Sequence, residues 1–239
     1  MALVREIAPD VYRISIFVPD HRLQFNHFLV KDDQPLLFHT GYNWMFAELR
    51  DAVATVLDPK TLRWISFSHF ESDECGSLNQ WLEAAPGARP ACNWLGAILS
   101  VNDFAIREAR VLNENDVLVT GARRFRFHST AHLPHGWDAG LLFEETTRTL
   151  FTSDLFFHQG DVEALIDSDI VGRSRQALLD LEKSPLAYSV PYTPRTGAIF
   201  ERLAQLEPRT LATMHGSSYQ GDGGRALREL AGVIREVLG

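Results

Sequence analysis

The chain has 239 residues, 45% hydrophobic and 23% charged, the composition expected of a soluble globular protein with room for a large core. A net charge of −8, with no basic run longer than "ARRFRF", argues against nucleic acid held by charge. No apolar run approaches about 18 residues, so no membrane span is expected, and "MALVREIAPDVYRIS" lacks the apolar core of a signal peptide. Cys75 and Cys92 have no metal-ligand spacing; a reduced, cytoplasmic protein is the simplest expectation.

Alternating apolar residues predict three antiparallel strands in "VYRISIFV", "FNHFLVK" and "PLLFHTG". "WMFAELRDAVATVL" carries apolar residues at three- and four-residue spacing and predicts a helix. The short strand "RWISFS" comes next. "SLNQWLEAA" follows as a short helix, with Ser77 as its expected cap. "ARPACN" and "GAILSVN" give no clear period. "DVLVTG", "RFRFHST" and "GLLFEETTRTLFTSD" predict strands, the last holding two joined near "ETTR". Helices are predicted within "DSDIVGRSRQALLDLEKSPL", "TGAIFERLAQLEP" and "GRALRELAGVIREVL", and a strand in "TLATMHG". There is no linker, repeat or low-complexity stretch. This order predicts one domain over 1–239, two central sheets with helices outside.

Polar residues gather just after predicted strands. "SHFESDECGS" places His69, Glu71, Asp73 and Glu74 within six positions. If the chain stays extended there, His69, Glu71 and Asp73 point to one side. Glu74 falls where a turn or helix should begin, which leaves its direction open, and Cys75 faces elsewhere. Carboxylates this close repel one another unless they splay into water as a solvated acidic loop or hold a cation. Imidazole with carboxylate suits zinc, manganese or iron, and the lack of thiolate argues against a structural zinc site. Further candidates are His132 and His135 in "AHLPHGWDAG", Asp154 after the apolar "LFTS", and His215 in "LATMHGSS". His39, ending "LLFH", reads as a hydrogen-bonded structural histidine. His21, His27, His128 and His158 read as surface or capping residues or stay open, and "FEETT" as a solvated turn.

Taken in order, these segments resemble a known family. "HFESDECG" resembles the H-x-E-x-D-H-x-G signature of the flavodiiron proteins, di-iron members of the metallo-β-lactamase superfamily. "HGWDAGLLF" is similar to their H-W-P-D-S segment and favours His135 over His132. "LFTSDLF" resembles the strand bearing their bridging aspartate, and "MHGSS" their last histidine. The resemblance implies an α/β fold, an αββα sandwich of two mixed sheets flanked by helices, with two metals at the edge between the sheets. It assigns His69, Glu71 and His135 to one metal, Asp73 and His215 to the other, and Asp154 to both. Glu74 stands where the family has histidine, so it either ligates, holds a water or leaves the second metal weakly bound. Glu71, Asp73, Glu74 and Asp154 carry a charge that two divalent ions would neutralise. Hard oxygen donors favour two iron ions, with manganese and zinc as alternatives.

The function implied is a non-haem di-iron protein that binds or reduces dioxygen. It would take electrons from a separate redox partner, with no FMN in this chain; a homodimer is compatible. Two cysteines are too few for a rubredoxin centre. The alternative is a di-metal hydrolase acting on an ester or phosphodiester. A third reading is a metal-free binding module. Catalytic residues beyond the ligands are not assigned.

Overall fold

The computed structural model describes residues 1–239. In the first sheet, β1 (Leu3–Ala8), β2 (Val11–Val18), β3 (Leu23–Val30) and β4 (Leu36–Phe38) form an antiparallel meander. β5 (Trp64–Ser66), β6 (Arg89–Asn93) and β7 (Arg110–Leu112) then join in parallel. The second sheet holds β8 (Val117–Val119), β9 (Arg124–Ser129), β10 (Gly140–Glu144), β11 (Thr149–Ser153), β12 (Leu165–Ile166), β13 (Thr210–Thr213) and β14 (Ser218–Gln220) in the order 12-14-13-11-10-9-8. It is parallel at β11–β13 and β12–β14 and antiparallel elsewhere. Both sheets are therefore mixed and seven-stranded.

Side chains alternate across a strand, so a strand buried on both faces feeds two cores. On β3, Phe28 and Val30 face the second sheet and meet Phe125, Phe127, Leu142 and Phe151. Phe151 is the centre of this layer, with ring centroids 5.0 Å from Phe38 and 5.6 Å from Phe28. Phe25 and Leu29 face the other way, toward α1 (Phe46–Ala54), α2 (Ser72–Cys75) and α3 (Leu78–Ala84), where Leu49, Val53 and Trp81 are buried. Past α4 (Trp94–Gly96) and α5 (Asn102–Phe104), the second sheet is covered by α6 (Ile170–Leu181), α7 (Thr196–Ala204) and α8 (Gly223–Leu238). In α8, Ala226, Leu227, Leu230 and Ile234 make one buried stripe, and Asp222 caps the helix by accepting from the Arg225 amide. The layers run α, β, β, α.

Several expectations need correction. β1, β7, β12 and β14 were not anticipated. "GAILSVN" is helical, a π-helical turn at Ala97–Val101 between α4 and α5. Ser77 precedes α3 but does not cap it; its hydroxyl donates to the Thr40 carbonyl at 2.6 Å, tying α3 to the end of β4. Glu144 of "FEETT" is fully buried, accepts from the Thr146 and Thr147 amides and lies 3.4 Å from Arg123. No helix is long and apolar enough to cross a membrane.

Parallel pairing places the site. β4 and β5 are parallel, as are β11 and β13, so within each pair the C-terminal ends share one sheet edge. His39 and His69 follow the first pair; Asp154 and His215 follow the second.

Candidate metal centre

The chain leaves β5 extended and turns helical at Ser72. Glu71 has φ −137° and ψ 154°, and Asp73 and Glu74 lie in the first turn of α2. The fully extended His69–Asp73 stretch expected from alternation is therefore interrupted, yet the side chains still converge. His69 Nε2 lies 2.7 Å from His135 Nε2 and 2.9 Å from Glu71 Oε2. His135 Nε2 is 3.0 Å from Glu71 Oε2 and 3.3 Å from Asp154 Oδ2. Donor atoms of these four residues all lie within 4.8 Å of one another. Asp154 turns its other oxygen, Oδ1, to His215 Nε2 at 3.2 Å, and His215 Nε2 is 3.3 Å from Asp73 Oδ2. Asp73 Oδ1 is buried without a partner. His132 is exposed and stands outside the cluster.

These spacings fit metal ions. Ligand atoms about 2.0–2.2 Å from one cation sit roughly 3 Å apart. Two imidazole Nε2 atoms at 2.7 Å converge on one point, and an orphaned buried carboxylate oxygen is otherwise costly.

Neighbouring groups set the ring orientations. His215 Nδ1–H donates to the Gln24 carbonyl at 2.9 Å, which leaves Nε2 free to face Asp73 and Asp154. His69 Nδ1 is 2.8 Å from Ser68 Oγ, which in turn lies 2.6 Å from Glu74 Oε2. Glu74, expected among the ligands, is turned away from the cluster. Its Oε2 accepts from the amides of Ser68 and His69, each at 3.0 Å, and its Oε1 accepts from Ser153 Oγ at 2.6 Å. A buried carboxylate needs donor partners, and the two strand ends provide four of them there. Asn26 Nδ2 donates to the Thr213 and Gly216 carbonyls and so fixes the loop bearing His215.

Other histidines differ from expectation. His27 and His39 are fully buried with no hydrogen-bond partner for either ring, and burial pushes both pKa values down to about 3, so both are neutral. His39 Nε2 lies 3.4 Å from Glu74 Oε1. His128 is buried 3.5 Å from Glu114, and His158 is buried and accepts from the Ser217 amide. Ser68, Ser153 and Gln24 were missed as site residues; hydroxyl and backbone partners carry no period or motif.

Without metal the cluster holds protons. Burial lowers the pKa of His69, but Glu74, Glu71 and Asp154 overcome it and push it up to about 10. His215 is likewise lowered by burial and raised to about 10 by Asp154 and Asp73. Hydrogen bonds from His135 and His69 hold Glu71 down at about 2. Histidines with raised pKa stabilise the fold fully below their unfolded value of about 6.5, and that contribution is lost as pH rises through about 10. Glu71 acts oppositely, and its contribution disappears only as pH falls through about 2. The melting temperature of metal-stripped protein is therefore expected to fall between pH values of about 7 and 10. Metal displaces those protons, so loaded protein should not follow this fall. Thermal scans of both forms check it; parallel profiles would refute it.

Comparison with known proteins was consistent with this geometry. The sequence matches the family described as "ODP family beta lactamase" over residues 23–216. It is 25% identical over 202 residues to the rubredoxin-oxygen oxidoreductase of Megalodesulfovibrio gigas, covering 82% of this chain and 49% of that protein. It is 22% identical over 224 residues to flavo-diiron protein FprA2 of Clostridium acetobutylicum, covering 88% and 56%. The chain thus spans about half the length of these relatives. The solved rubredoxin oxygen:oxidoreductase of Desulfovibrio gigas superposes with a TM-score of 0.82 at 20% identity, over 96% of this chain and 61% of that one. The family match runs from β3 to the residue after His215 and takes in every residue of the cluster, so the chain belongs to the ODP beta-lactamase family.

Proposed function

We propose that this chain is one di-metal domain that binds or reduces dioxygen at two irons, drawing electrons from a separate redox partner. In this reading His69, Glu71 and His135 hold one iron, Asp73 and His215 the other, and Asp154 both. The observation that carries it is the two-sided placement of Asp154, whose Oδ2 faces His135 and whose Oδ1 faces His215. A donor set of imidazole and carboxylate without thiolate supports iron, with manganese or zinc as the competing occupants. The names of the two relatives, one an oxygen oxidoreductase and one a flavo-diiron protein, support the same reading. The free, buried Cys75 and Cys92 suit a reducing cytoplasm.

When bound, the metal pair would supply the electrons and the point of attachment for the substrate. The protein holds the ligands in place. Gln24 and Ser68 fix the tautomers of His215 and His69 through Nδ1. Phe25 packs edge-on to His215, ring centroids 5.0 Å apart, and Phe157 flanks it at 6.0 Å, which keeps water from that ring. We assign Glu74 to bracing the His69 loop rather than to the second metal.

Purified protein is expected to carry about two irons per chain, to absorb in the near ultraviolet when oxidised, and to consume dioxygen after anaerobic reduction. About two zinc ions, with esterase or phosphodiesterase turnover, would replace this reading with the hydrolase one. His135→Ala is expected to deplete metal by elemental analysis, whereas His132→Ala should leave it unchanged. The opposite pattern would show that the wrong histidine has been assigned.

A further inference from the structure

A large cavity has the cluster at one end and continues far beyond it. Its volume is about 850 Å³. A diatomic gas needs little more than the ~30 Å³ share of one water, whereas pockets of roughly 300–1,000 Å³ hold drug-sized organic molecules. Phe25 and Phe156 line it beside the cluster. Its far arm runs between α6 and α8 and is lined by Leu178, Leu181, Leu230 and Ile234. The connector after α6 lines one side with Val190 and with Leu186, which is largely exposed at the rim. Such an arm gives a diatomic nothing to hold, but it removes an apolar body from water.

Charge narrows the class. No lysine or arginine lines the cavity, and its imidazoles, His135 and His215 of the cluster and His21 beside Phe25, stand at the cluster end, while Asp20 and Asp180 add carboxylates to those of the cluster. A phosphate or carboxylate in the arm would lose its water with no cation to replace it. We infer that the cavity binds an uncharged, largely apolar organic molecule, one per chain, lying along the α6–α8 arm with one end toward the cluster. As a companion or substrate of the metal chemistry it rests on the di-metal reading; as a binding site it does not.

The test uses N-phenyl-1-naphthylamine, an uncharged dye that brightens in apolar surroundings, and its 8-sulfonate, the same body with one negative charge. Titrated into the full chain, the uncharged dye is expected to saturate at one per chain with a dissociation constant on the order of micromolar. The sulfonate should bind at least about tenfold more weakly. Leu186→Asp and Val190→Trp, which charge and fill the arm, should each weaken the dye by about tenfold, with iron content and melting temperature held near wild type. Equal binding of both dyes, or dye binding indifferent to both substitutions, would overturn the inference. Dye binding that rises as the protein is diluted would also overturn it, because a second copy of the chain would then fill the arm. Iron content is measured in the same samples. An iron-free protein that still binds the dye sinks the di-metal reading and spares the cavity; an iron-loaded protein that ignores the dye does the reverse.

Discussion

Asp154→Ala is expected to strip both metals from the chain. Every other assigned ligand serves one position, so its loss should deplete one metal first. Asp154 alone reaches both sets, through Oδ2 to His135 and His69 and through Oδ1 to His215. Loss of an outer partner of a ligand typically weakens metal binding about 10–100-fold, and removal of a shared ligand should exceed that at both positions. The substitution also leaves His69 and His215 each with one fewer carboxylate, so both should lose protons at lower pH than in metal-stripped wild type. Two readouts therefore move together, iron per chain and the titration of the metal-stripped protein. Asp154→Asn keeps the shape and one oxygen, and is expected to retain more iron than the alanine variant. Full iron content in Asp154→Ala would remove the bridge from the proposal.

Much of the layering was legible because its signal is periodic. β2, β3 and the β10–β11 hairpin alternate clearly, and the stripe of α8 repeats at helical spacing. β1 was hidden because its middle, Arg5 and Glu6, is exposed and only Ile7 and Ala8 are buried. β7, β12 and β14 span three, two and three residues, too short for any period to register. The positions of Asp154 and His215 after strands could be read, but their convergence depends on parallel pairing of β11 with β13, which nothing local announces. His27 was misplaced because one histidine among apolar residues looks like an exposed alternate position. It sits in phase with Phe25 and Leu29, and on a strand buried on both faces that phase puts it in the core. Glu74 was the hardest position. The resemblance left it open as a ligand, a holder of water or neither, whereas in the fold its carboxylate accepts from two backbone amides and two serines, which carry no signature.

Those partners decide what Glu74→Ala should do. The carboxylate accepts from the amides of Ser68 and His69 and from the hydroxyls of Ser68 and Ser153, all buried. The two hydroxyls are 2.6 Å apart and can turn to each other, but the two amides cannot. Buried amides left unpaired cost about 1–3 kcal/mol each, so Glu74→Ala is expected to lose about 2–6 kcal/mol, a large share of a typical 5–15 kcal/mol. Denaturant unfolding measures it. Glu74→Gln keeps one oxygen for the three donors of Ser68 and His69 and can donate to Ser153, so it should fold near wild-type stability. Glu74→His, which restores the family's residue, presents a single acceptor nitrogen to those donors and should be destabilised much like alanine. For the metals, Gln is expected to spare the iron assigned to Asp73 and His215. Any loss should fall on the iron assigned to His69, whose Nδ1 partner Ser68 leans on Glu74. A different pattern would make Glu74 a ligand after all. In that case Glu74→Gln would hold only about one iron per chain. Adding His135→Ala would then remove that last iron, and Glu74→His would bind iron at least as well as wild type.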